Sequence, residues 1–61
     1  MNKYRQLRKE RNMSQANLAK RLGVSQTAVS QWETNKNYPD INTIKELAEI
    51  FSVTTDYLLN V

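Results

Sequence analysis

The single glycine of the chain, Gly23, lies between two segments that each follow a serine. Ser14 precedes residues 15–22 and Ser25 precedes residues 26–33. Serine is a preferred N-cap, because its hydroxyl accepts a bond from a free amide of the first helical turn. Glycine suits the residue after a helix, where a positive φ is commonly required. The spacing therefore predicts two short helices, 15–22 and 26–33, joined by a tight turn. Leu18, Ala19 and Leu22 share one face of the first, and Ala28, Val29 and Trp32 share one face of the second. The opposite face of the second helix holds Gln26, Thr27, Ser30 and Gln31, which are polar but uncharged.

The flanking segments supply the rest of a core. Residues 2–12 read as a helix with Tyr4 and Leu7 inward and Arg8 and Arg11 at the margins. Arg11 is expected to bury its stem and keep its head in water. Asn12 ends this helix, since Asn tolerates the left-handed region, and Met13 packs as a staple. Thr34 to Asn37 form a polar loop in which Asn35 can take a positive φ. Pro39 holds Tyr38 extended. Asp40 caps a helix over 41–51, with Ile41, Ile44, Leu47, Ala48 and Phe51 on its buried stripe and Ile50 off it. Thr54 or Thr55 caps a last helix, 55–59, whose Tyr57, Leu58 and Leu59 add apolar surface. The expected fold is all-α, five helices in one domain spanning 1–61, without a strand, repeat or linker.

Composition narrows the function. The chain has 61 residues, no cysteine and no histidine. Disulfides, cysteine-based metal sites and the usual general base are excluded. No loop suits a phosphate-bearing cofactor, and the acidic residues are spread over separate elements. Catalysis, a metal, a cofactor and a small-molecule ligand are therefore not expected. No apolar run is long enough for a membrane span or a signal peptide, so a cytoplasmic protein is expected. Residues 1–36 hold eight basic side chains against two acidic ones, and residues 37–61 hold one against four. Such an asymmetry lets one half face a polyanion.

The motifs resemble the Cro/cI-like (XRE-type) helix-turn-helix repressors of phages and bacteria. The resemblance runs from Tyr4-x-x-Leu7-Arg8 through Met13-Ser14-Gln15-x-x-Leu18-Ala19-x-x-Leu22-Gly23-Val24-Ser25. It continues in Val29-Ser30-x-Trp32-Glu33, Pro39-Asp40-Ile41, Leu47-Ala48-x-x-Phe51 and Val53-Thr54-x-Asp56-x-Leu58-Leu59. It covers nearly the whole chain. The departures are Asn12, Asn35 and Ser52, where members usually carry glycine. Ser52 is the least suited of these to a left-handed cap.

The resemblance implies a lambda-repressor-like fold with its helix-turn-helix unit at 15–33, and a recognition helix beginning at Gln26. A major groove about 12 Å wide admits one helix. Gln26 and Gln31 are then the first choices for base contacts, with Thr27 and Ser30 next. Gln15, at a helix N-terminus suited to phosphate, is expected on the DNA backbone. Thr34, Asn35 and Lys36 resemble the family's loop of backbone contacts. Lys20, Arg21 and Lys3 are weaker candidates. Arg8 is expected to pair with Glu33 and turn towards a phosphate. Gly23, Trp32 and Glu33 are structural. The implied function is a transcriptional regulator, a repressor working in the nucleoid as a weak homodimer strengthened on a palindromic double-stranded DNA operator. Ile50, Leu59 and Val61 are the candidate dimer patch. The alternative is a protein-interaction module of the same fold, such as an antitoxin, or part of a larger regulator.

Overall fold

The structure, a computed structural model, describes residues 2–60. Five helices follow one another: α1 (Lys3–Glu10), α2 (Gln15–Leu22), α3 (Gln26–Glu33), α4 (Ile41–Phe51) and α5 (Thr55–Leu59). Each is started by a side chain. Asn2, Ser14, Ser25, Asp40 and Thr54 accept bonds from the amides of Arg5, Asn17, Ala28, Thr43 and Tyr57. Helix α1 is shorter than the expected 2–12. Asn2 is its cap rather than its first turn, and Arg11 and Asn12 already belong to the turn that leaves it.

Four chain reversals use one device. Asn12, Gly23, Asn35 and Ser52 are all left-handed, with φ of 56°, 70°, 61° and 56°. In each case the next amide reaches back to a helix carbonyl: Met13 to Arg8, Val24 to Ala19, Lys36 to Gln31 and Val53 to Ala48. This six-residue closure satisfies carbonyls that a helix end leaves free. Met13, Val24 and Val53 then pack against the core, whereas Lys36 is exposed. Ser52 thus takes the left-handed cap for which its type is poorly suited. That conformation costs a non-glycine residue about 1–2 kcal/mol. Part of the gain from removing it is lost to glycine's freer unfolded chain. Ser52→Gly is expected to stabilise the protein by about 0.5–1 kcal/mol, raising Tm by several degrees in a calorimetric scan.

Tyr4, Leu7, Leu18, Ala19, Val29, Trp32, Ile44, Leu47, Ala48, Phe51 and Leu58 form one buried cluster, with Leu22 and Ile50 half-buried against it. Helices α2 and α3 pack closely, α1 lies against α3, and α4 lies against α2 and α5. Ile41, expected on the buried stripe, is 55% exposed. It lies one turn before Ile44, so the start of α4 overhangs the cluster.

Two basic side chains, Lys3 of α1 and its C-cap Arg11, hold distant helix ends. Arg11 keeps its head only partly in water: Nη1 donates to the Leu7 carbonyl at 3.0 Å and Nη2 to the Phe51 carbonyl, with the guanidinium over the Phe51 ring at 5.5 Å. Lys3 donates to the carbonyls of Tyr57 (2.6 Å) and Asn60, and its ammonium lies 4.4 Å from the centre of the Tyr57 ring. Cations at helix C-termini satisfy free carbonyls and meet the negative end of the dipole. Among the described residues, no helix is long and apolar enough to cross a membrane.

Candidate nucleic-acid interface

Helix α3 owes its outward polar face to the anchors on its other side. Val29 and Trp32 are buried, which turns Gln26 and Thr27 to the surface and leaves Ser30 and Gln31 half-buried beside them. Gln15, Gln26, Thr27 and Ser30 line one open polar hollow where the N-terminus of α2 meets α3. Four of the residues singled out in the sequence are therefore adjacent in space.

A buried ion pair lies behind this hollow. Arg8 and Glu33 are only 7% and 8% exposed. Arg8 Nε and Nη2 donate to Glu33 Oε2 and Oε1 at 2.6 and 3.0 Å, a two-pronged pairing, and Nη1 donates to the Met13 carbonyl at 2.7 Å. Burial alone would raise the Glu33 carboxyl. Hydrogen bonds from Arg8 and Gln15, with the charges of Arg8 and Arg5, outweigh it and hold the group below the usual carboxylate range. The bond to Glu33 correspondingly raises Arg8 above the usual guanidinium value. Each of the three Arg8 nitrogens has an acceptor inside the protein. Arg8 thus braces α1 against α3, as expected, and three of its five N–H donors are used in doing so.

The pair also sets the polarity of the hollow. Gln15 Nε2 donates to Glu33 Oε1 at 3.1 Å, and Gln26 Nε2 donates to Gln15 Oε1 at 3.4 Å. A carboxylate only accepts, so Gln15 must present its amide nitrogen inward and its oxygen to Gln26. Gln26 must then donate with one amide hydrogen. Its oxygen and second hydrogen remain free, an acceptor and donor side by side.

The loop after α3 is tied from α1. Asn2 Nδ2 donates to the Trp32 carbonyl at 2.5 Å and to Asn35 Oδ1 at 3.3 Å, which leaves the Asn35 amide nitrogen outward. Lys36 occupies the place where Met13, Val24 and Val53 carry an apolar side chain in the other three reversals. An exposed ammonium stands there instead, on a backbone closed by the same kind of bond. The Thr34 hydroxyl donates to the Ser30 carbonyl at 3.0 Å. Lys20 and Arg21 are exposed at the end of α2. Lys3 is engaged at α5, away from the hollow.

Sequence reasoning missed Asn2 and the Glu33–Gln15 bond. Both link residues at least 18 positions apart, and neither residue type carries a local signal for its partner. Ile50 is half-buried against the core, Leu59 is 53% exposed, and Val61 lies outside the described residues.

Comparison with known proteins gives the same picture. The helix-turn-helix family pattern matches residues 5–58. The HTH-type transcriptional activator BcrR of Enterococcus faecalis is 47% identical over 58 residues, covering 95% of this chain and 28% of the relative. Repressor protein C2 of Salmonella phage P22 is 37% identical over 57 residues, covering 93% of this chain and 26% of the relative. The uncharacterised HTH-type transcriptional regulator YqaE of Bacillus subtilis is 35% identical over 52 residues, covering 85% of this chain and 45% of the relative. The chain thus spans less than half the length of these relatives. No solved structure matches it significantly. The resemblance read from Tyr4 to Leu59 is borne out: the chain belongs to the helix-turn-helix family of DNA-binding transcriptional regulators.

Proposed function

We propose that the protein is a sequence-specific repressor that places α3 in the major groove of duplex DNA. The observation that carries this reading is the relay from Glu33 through Gln15 to Gln26. It leaves Gln26 with one acceptor and one donor facing outward, the pattern that pairs with adenine N6 and N7. Thr27, Ser30 and Gln31 lie beside it as further base contacts. Gln15, Asn35 and Lys36 flank α3 and serve as backbone contacts, which fix register without reading sequence.

One helix reads few base pairs, so two copies bind a palindromic operator in the nucleoid, with half-sites about 34 Å apart. The exposed Leu59 side of α5 supplies their contact, a weak one that DNA strengthens. Repression follows from occupying the groove at a promoter.

Selection from a random duplex library tests the reading. An inverted repeat should emerge. Gln26→Ala should relax preference at one base pair per half-site by about 1–3 kcal/mol, as for a lost bidentate pair. Lys36→Ala should weaken binding to all sequences alike. A library that returns no enriched motif would overturn it.

A further inference from the structure

Helix α1 lies outside the helix-turn-helix unit, yet with its C-cap Arg11 it carries five of the nine basic residues of the chain: Lys3, Arg5, Arg8, Lys9 and Arg11. Three are used inside the fold. Lys3 holds the end of α5, Arg11 the end of α4, and Arg8 is buried on Glu33. Arg5 and Lys9 are exposed, and among the described residues neither side chain makes a hydrogen bond or ion pair.

At about 100° per residue, Arg5 and Lys9 lie only about 40° apart around α1, but Arg5 is the nearer to Arg8, at about 60° against about 100° for Lys9. The Arg8 flank is the one that meets α3. Arg8 touches Glu33 at its end, and Asn2, one turn before Arg5, touches the Trp32 carbonyl and Asn35. Arg5 therefore stands between two contacts that bind α1 to the end of α3 and its following loop. Its charge also acts on the Glu33 carboxyl, which places it on that side. Arg8 and Glu33 cancel each other, so Arg5 is the uncompensated cation of the flank.

We propose that Arg5 is a phosphate contact for duplex DNA, a grip on the backbone beside the groove that α3 enters. It extends the interface from the helix-turn-helix unit to α1, and it rests on the DNA-binding reading above. A guanidinium suits this task, because its planar fork meets two phosphate oxygens at once. The contact carries no base information, so it adds affinity for all sequences and steepens salt dependence.

The experiment measures binding of the selected operator and of an unrelated duplex across a salt series, with wild type, Arg5→Gln, Arg5→Lys and Lys9→Gln. Thermal unfolding confirms that each variant is folded. Arg5→Gln should lower the log–log salt slope by about 0.9 per bound chain on both duplexes, with the preferred sequence unchanged. Arg5→Lys should keep most of the slope. Lys9→Gln, which removes the same charge from the same helix, should leave the slope as in wild type. If wild type selects its operator and Arg5→Gln keeps the wild-type slope, the proposal is overturned while the DNA-binding reading stands. If Lys9→Gln loses as much slope as Arg5→Gln, the effect is a general field and the contact is also overturned. If wild type itself shows no sequence preference, it is the underlying reading that fails.

Discussion

Arg8→Ala is expected to destabilise the protein by about 3 kcal/mol, the lower end of the cost of breaking a buried ion pair. The change leaves the Glu33 carboxylate in a site that is 8% exposed, with only Gln15 as a hydrogen-bond donor. It also frees the Met13 carbonyl that Arg8 holds at 2.7 Å. The lower end applies because water is never far away in a protein measuring 24 × 23 × 23 Å. Urea unfolding followed by helical circular dichroism measures the loss. Replacing both partners, as Arg8→Met with Glu33→Leu, should recover most of it, since an apolar pair leaves no stranded charge. If the double variant is as unstable as Arg8→Ala, packing rather than charge dominates the site.

The same pair sets an acid limit. The folded Glu33 carboxyl lies below its ordinary value of 4.5. A depressed carboxylate contributes stability that is fully present above the unfolded value and is lost as pH falls through the folded one. Wild type should therefore lose this contribution below about pH 4.5, and the apolar double variant should not. The double variant separates stability from reading as well. Without Glu33, nothing fixes the Gln15 amide, so base preference at the position read by Gln26 should relax even where the fold survives.

Phe51→Ala is the second large effect. Phe51 is fully buried at the end of α4, below the Arg11 guanidinium. Truncating a buried Phe costs about 3–5 kcal/mol, as lost transfer energy plus the cavity left behind. A chain of 61 residues has a total stability of roughly 3–9 kcal/mol at typical values per residue. The variant should thus be largely unfolded at room temperature, seen as loss of the helical signal and of a cooperative transition. Phe51→Leu, which keeps most of the volume, should stay folded with a loss of about 1–2 kcal/mol. A folded Phe51→Ala with a cooperative transition would show that α4 is held from elsewhere.

Much of the fold is legible in residue order because its signals are local. Ser14, Ser25 and Asp40 cap through bonds to an amide three residues on, so helices α2, α3 and α4 begin where their side chains place them. Asn12, Gly23 and Asn35 mark reversals by their tolerance of positive φ. Ser52 runs against its own preference, because the closure from Val53 to Ala48 and the packing of Val53 outweigh it. Ile41 is the opposite lesson. Helical periodicity placed it on the buried stripe, but periodicity gives direction around an axis and not how far along that axis neighbours extend.

The site divides in the same way. The sequence by itself determined which side chains share the outer face of α3, because 3.6 residues per turn and the inward anchors Val29 and Trp32 leave no other arrangement. Only the tertiary structure decided what those side chains can do. Arg8 folded onto Glu33, the Gln15 amide acquired one orientation, and Lys3 and Arg11 became caps. Each of these outcomes depends on a carboxylate or carbonyl brought close by folding, in one case 57 residues away along the chain. Hydrogen-bond energy depends on distance and angle in space, and residue order constrains neither once the chain has reversed direction four times.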